Sequence, residues 1–203
     1  MPKIENMLET MGKQGVPDDI MAQLPRPRIK KATPEEIVAF IEAMDKHLSK
    51  QECIAIMDEQ GCSKTNQYSA AFRKFGALHK DNTLEERIAL MSEFESVHKA
   101  NLCRLNEDGT ISLIFGIDGK KGDWYCPCAP IRKLKPHDFP LTYCGCCGAH
   151  MRYTHEFALG IQLRLKEIVS SKANSDGEKP CEFVYEIVES SAISDCCPAR
   201  PKG

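Results

Sequence analysis

The spacing of apolar residues changes near residue 100, from helical to alternating. Met7, Leu8 and Met11 predict a short amphipathic first helix. Pro17, Pro25 and Pro27, among basic residues, predict a loop or linker. Thr33-Pro34-Glu35-Glu36 is a helix start. The threonine can cap, proline suits the first helical position, and Glu36 can close a capping box. Ile37, Phe40, Ile41, Met44 and Leu48 follow at helical spacing. A second segment covers about Gln51 to Glu59 and stops at Gly61. A third runs from about Asn66 to His79 with Phe72 and Phe75 inside. Thr83-Leu84-Glu85-Glu86 repeats the capping pattern and opens a fourth, carrying Ile88, Met91, Phe94 and Val97 and ending near His98.

After residue 100 the reading is sheet with one more helix. Leu102 to Leu105 and Thr110 to Phe115 flank the turn Asn106-Glu107-Asp108-Gly109, a hairpin pattern. A second turn is predicted at 118–122, a strand start at Trp124-Tyr125-Cys126, and a loop over 127–140, which holds four prolines. Cys147 to Leu159 reads as a helix. Leu163, Leu165 and Val169 suggest a strand, and 172–180 a polar turn. Cys181, Phe183, Tyr185 and Ile187 alternate strictly with their neighbours as a final strand. The expected fold is a single α+β domain. A helical layer over 1–99 packs on an antiparallel sheet plus helix over 100–190, and a tail covers 191–203.

Composition narrows the function. The 27 basic and 29 acidic side chains nearly cancel, which gives no footprint for nucleic-acid phosphates or an anionic membrane. The apolar runs are short of the roughly 18 residues a membrane span needs. The first eleven residues lack a basic segment followed by an apolar block, so a cytoplasmic protein is expected. The departure from ordinary composition is 11 cysteines, nine of them after residue 100. In a reducing compartment an odd, clustered set points to metal ligation, thiol chemistry or burial rather than disulfides.

The cluster is Cys126-Pro-Cys128, fifteen intervening residues, then Cys144-Gly-Cys146-Cys147-Gly-Ala-His150. Close thiol pairs at this separation can present four ligands to one ion. In extended backbone, residues i and i+2 point the same way, which would pair Cys126 with Cys128 and Cys144 with Cys146. Cys147 and His150 would share a helix face. Thiolates and imidazole favour zinc, with an iron–sulfur cluster as the alternative. The metal candidates are Cys126, Cys128, Cys144 and Cys147, with His150 in reserve. Cys146, beside a helix N-terminus that would stabilise its thiolate, is the weak candidate for a catalytic thiol. Cys53, Cys62, Cys103 and Cys181 read as packed side chains, and Cys196-Cys197 is ambiguous. His79 and His98 complement helix dipoles, His137 lies in the loop near the cluster, and His155 reads as partly buried. No hydrolase elbow, phosphate loop or dinucleotide fingerprint is present.

The stretch from Cys144 through the Leu-Arg-Leu-Lys-Glu-Ile-Val strand to Gly177-Glu178-Lys179-Pro180-Cys181-Glu182-Phe183 resembles the cysteine-containing end of 4-vinyl-reductase-like domains. Those domains belong to the ligand-binding superfamily that includes haem–nitric-oxide and Golgi-transport modules. The stretch is also similar to the end of bacterial amino-thiazoline-carboxylate-hydrolase-like proteins. Cys181 and Phe183 match their Gly-x-x-x-Cys-x-Phe element. The resemblance spans about residues 140–190. It implies an α+β fold and small-molecule or metal sensing in bacteria, and carries no catalytic residue to any position. Cys126-Pro-Cys128 and the helical first half depart from the shorter vinyl-reductase pattern. Three functions stay open at this point: a zinc protein with or without a small-molecule site, a hydrolase or thiol-dependent enzyme, and an iron–sulfur or redox regulatory module.

Overall fold

The computed structural model describes residues 2–26, 32–61, 67–99, 102–115, 134, 139–175 and 177–188, with backbone alone at 67, 68 and 95–99. Among them are seven α-helices and a four-stranded antiparallel sheet, an α+β fold. The helices are α1 (Ile4–Lys13), α2 (Asp18–Gln23), α3 (Pro34–His47), α4 (Lys50–Asp58), α5 (Gln67–Leu78), α6 (Leu84–Lys99) and α7 (Gly145–Leu159). The strands are β1 (Leu102–Leu105), β2 (Ile111–Phe115), β3 (Gln162–Ser170) and β4 (Cys181–Val188), in the order β1-β2-β4-β3. No helix among the described residues is long and apolar enough to cross a membrane. The second predicted turn, the Trp124 strand start, the tail, Cys62, His137, Cys196 and Cys197 lie outside the described residues, as do the side chains of Val97 and His98.

The helix starts follow local chemistry. At α3 the Glu36 N–H donates to Thr33 Oγ1 at 3.2 Å, and the Thr33 N–H donates to Glu36 Oε2 at 2.9 Å. Ser49 with Glu52, and Thr83 with Glu86, make the same reciprocal pair at α4 and α6. Thr33→Ala should cost about 1 kcal/mol, read as a lower urea midpoint at unchanged slope. Hydrogen bonds from Ser49 hold Glu52 below the ordinary carboxylate range, and bonds from Thr83 and then Asn82 do so for Glu86. A lowered native pKa contributes stability above the unfolded value and loses it as pH falls, so these caps weaken in acid.

Three expectations differ from the structure. The proline-rich stretch after residue 17 holds a six-residue helix, α2, because Pro17 flanks its start and the Pro17 carbonyl accepts from Ile20 and Met21. The loop ends in a 3₁₀ turn, Leu141–Cys144, that leads without a break into α7. Pro140 before it acts as a start rather than a stop, since proline's missing N–H is no loss at the head of a helical turn. In β3, Leu163, Leu165 and Ile168 are buried while Val169 is exposed. A register shift between Leu165 and Glu167 adds a residue opposite β4 and reverses the inward phase.

One apolar core joins both halves of the chain, from Ile4, Met7 and Met11 through Phe40, Ile56 and Met57 to Phe183 and Tyr185. Helix α7 lies at its centre. Two glycines let its first turn approach closely. A Cβ on Gly145 would meet Met57 Cβ of α4 at 2.6 Å, and one on Gly148 would meet Leu165 and Phe183 side chains at 3.0 Å. The Tyr185 hydroxyl donates to the Gly148 carbonyl at 2.8 Å. Farther along α7, Phe72, Phe75 and Phe94 form edge-on and tilted ring contacts, and His155 joins them against Phe72. His155 is fully buried, not partly, and its Nδ1 donates to the Met151 carbonyl at 2.8 Å.

Strand β3 is a sheet edge, and alternate N–H groups of an edge strand point away from its partner. Two carboxylates accept them. Asp58 Oδ2 takes the Leu165 N–H at 3.2 Å, and Glu156 Oε1 takes the Leu163 N–H at 2.9 Å. Arg152 binds both acids, with Nε 2.8 Å from Asp58 Oδ1 and Nη1 3.2 Å from Glu156 Oε1. This network fastens α4 and α7 to β3 and so sets the position of the cysteine-bearing turn.

Candidate metal centre

The junction of the 3₁₀ turn with α7 decides which thiols can act together. Extended backbone would put Cys144 and Cys146 on one side, whereas a turn entering the helix, the arrangement behind the choice of Cys147 as ligand, would pair Cys144 with Cys147. Here the chain is helical at both positions. A helix turns about 100° per residue, so residues two apart face nearly opposite ways and residues three apart lie on one face. Cys144, Cys147 and His150 therefore form one stripe, with Cys144 buried and the other two half-buried. Cys144, at 7% exposed, and Cys146, at 2%, both belong to the core, and Cys147 packs against it. The glycines occupy the adjoining stripe that packs on α4 and the sheet. The glycines of this run permit close approach, Cys144 and Cys146 are buried in the core, and Cys147 is half-buried beside it.

Cys181 was read as a core residue from its alternation in β4. It is buried, but the Cys147 thiol is near enough for its charge to help raise the Cys181 pKa. The Lys172 backbone N–H donates to Cys181 Sγ at 3.4 Å. Burial, the largest influence, pushes the Cys181 thiol up to about 12, and the Lys172 N–H opposes it. Cys181 stands opposite Phe115 in the β2–β4 register. The chain bearing Cys126 and Cys128 leaves β2 from Phe115 and returns at Phe139, whose carbonyl accepts from Asn174 Nδ2 at 2.9 Å. One end of that connection therefore pairs with Cys181 of β4, and the other is held by Asn174. The sequence carried no sign of this, because it follows from a pairing between strands 66 residues apart, Phe115 with Cys181.

Cys126 and Cys128 lie outside the described residues. Among the described residues no group of three or more His, Cys, Asp or Glu side chains is placed to hold a metal ion. Of the expected ligands, Cys144 and Cys147 share one helix face. Cys53 of α4 is apart from the stripe. Burial first, then the nearby Asp45 carboxylate, pushes its thiol up to about 12, which suits a packed cysteine and not a nucleophile.

A cavity of about 330 Å³ opens beside the 3₁₀ turn, lined by Asp45, Leu48, Ile54, Leu141, Thr142 and Ile168 among others. The Thr142 hydroxyl donates to Asp45 Oδ1 at 2.7 Å at its wall.

The fold and this site define an α+β protein with a cysteine stripe at the head of its central helix. No family model matches the chain, and no curated protein matches it. A solved structure titled as an H-NOX protein from S. oneidensis in the Fe(II)NO ligation state is similar at 11% identity and a TM-score of 0.34. The similarity covers 92% of this chain and 98% of that one. A likeness at that score bears on neither the fold nor the function of this chain.

Proposed function

We propose that this chain is a cytoplasmic bacterial cysteine-rich zinc protein, with Cys126, Cys128, Cys144 and Cys147 as ligands and His150 as the alternative fourth donor. The observation that carries the reading is the shared face of Cys144 and Cys147 at the head of α7. Four thiolates would close the coordination sphere, which marks a structural rather than a catalytic zinc. Its work is then cross-linking: the ion ties α7 to the connection between β2 and the 3₁₀ turn. The burial of Cys146, at 2% exposed, disfavours the thiol-enzyme alternative. A small-molecule role would use the cavity of about 330 Å³ beside the 3₁₀ turn, which none of the candidate metal ligands lines.

Elemental analysis of the purified full chain tests the reading. One zinc per chain is expected in the native protein. Serine at Cys126, Cys128, Cys144 or Cys147 should abolish it, and Cys146→Ala should keep it. Full zinc occupancy in both Cys126→Ser and Cys144→Ser would remove the site. Iron with acid-labile sulfide in place of zinc would establish the iron–sulfur alternative instead.

A further inference from the structure

The cavity beside the 3₁₀ turn is walled by four elements: α3, α4, the turn itself and β3. Two polar links fix their spacing. The Thr142 hydroxyl donates to Asp45 Oδ1 at 2.7 Å and ties the turn to α3. Lys50 Nζ lies 3.0 Å from Glu167 Oε1 and ties α4 to β3. The lining is graded. Leu48, Ile54 and Ile168 are buried, whereas Asp45 and Lys50 are exposed, so the cavity is apolar within and charged at its mouth. The two charges are not equivalent. Glu167 neutralises Lys50, while Asp45 forms no ion pair among the described residues. The mouth therefore carries one uncompensated negative charge. At about 330 Å³ the cavity has more than twice the roughly 150 Å³ of an apolar cavity that holds benzene.

We infer that this cavity binds a small apolar cation: a primary amine on an aromatic or short alkyl body, its ammonium on Asp45 and its body against Leu48, Ile54, Leu141 and Ile168. This names the ligand class for the small-molecule role above and rests on that reading alone, since it needs no metal. Enclosing the body removes apolar surface from water. The ammonium stays at the mouth and keeps part of its hydration, which avoids the cost of drying a charge. A carboxylate ligand would meet Asp45 as a like charge and could reach Lys50 only by displacing Glu167. Thr142 holds Asp45 in place before the ligand arrives, which lowers the ordering cost of binding.

Phenethylamine, phenethyl alcohol and hydrocinnamate share one apolar body and differ in charge. Calorimetric titration of each into the full-length chain tests the inference, with backbone amide NMR shifts locating the site. The amine should bind about 10-fold tighter than the alcohol, the lower end of what a hydrogen bond to a charged group contributes, and hydrocinnamate should bind weakest. The amides of Leu48, Ile54 and Thr142 should shift. Asp45→Asn, whose amide oxygen still accepts from Thr142, should bring the amine down to the affinity of the alcohol and leave the alcohol unchanged. Leu141→Trp, at a half-buried position, should fill the cavity and block both. Equal binding of amine and alcohol at these amides overturns the cation and keeps the small-molecule role. An amine preference that survives Asp45→Asn, tightest binding by hydrocinnamate, or shifts confined to other amides also overturns the inference. No binding by any of the three overturns it together with the small-molecule role. Zinc content of the same samples is an independent reading: amine binding by a zinc-free chain leaves this inference standing and sinks the zinc.

Discussion

Arg152→Ala should destabilise the protein by about 3–5 kcal/mol at neutral pH, because it leaves one buried and one half-buried carboxylate without their cation. Asp58 is 8% exposed, and the Glu156 side chain is 22% exposed. Burial is the largest influence on both and holds their pKa values above the ordinary range, even with Arg152 and the β3 N–H groups pulling the other way. Removing the guanidinium lets burial act with less opposition. A carboxyl whose native pKa is raised binds its proton more tightly folded than unfolded. It contributes stability below the unfolded value and loses it as pH rises through the native one. The deficit of Arg152→Ala should therefore be smallest near pH 4 and below, and should grow as the two acids ionise. Urea unfolding of both proteins across that range measures it. A deficit that does not change with pH would mean that the Arg152 stem, not its charge, holds the helices. Adding Asp58→Asn and Glu156→Gln to Arg152→Met should recover most of the loss, since the amide oxygens still accept from Leu165 and Leu163 and no unpaired charge remains.

Gly76→Ala should destabilise although alanine is the better helix former. On propensity alone the change would gain roughly 0.5–1 kcal/mol in an open helix. Gly76 lies where α5 crosses α7, and a Cβ there would collide with the Phe157 backbone oxygen, with Phe157 C at 3.1 Å and Ala158 Cα at 3.3 Å behind it. Backbone cannot swing aside as a side chain can, so α5 must move off α7, at a cost of about 1–3 kcal/mol for overpacking. The movement also disturbs Arg73, whose Cζ lies 3.4 Å from the centre of the Phe157 ring. Gly12 in α1 is the matched control, because a Cβ there meets nothing within 4 Å. Gly12→Ala should stabilise where Gly76→Ala destabilises, with thermal melts reading both. Stabilisation by both would show that α5 and α7 are not in close contact at Gly76.

The helices whose ends could be read from the chain are those whose ends are made locally. The Thr33–Glu36 and Thr83–Glu86 pairs each close within four residues, so the letters that predict the cap are the atoms that form it. The inward alternation of Cys181, Phe183 and Tyr185 was legible for the same reason: strand geometry ties neighbours to opposite faces wherever the strand lies. Val169 shows where that logic ends. Its exposure follows from a bulge against β4, and a bulge belongs to two strands at once.

The cysteine site divides along the same line. Residue type and spacing along the chain singled out the thiols as candidate ligands for a soft metal. That Cys144 shares a face with Cys147 rather than Cys146 was already legible in their three-residue spacing at a helix start, and the structure has helical backbone there. Tertiary structure set the Lys172 N–H on Cys181 Sγ and joined Asp58 to Arg152 across 94 positions. Contacts of that kind require distant segments to close on one another, and their partners are chosen by the packing of the whole core, which no short window of sequence contains.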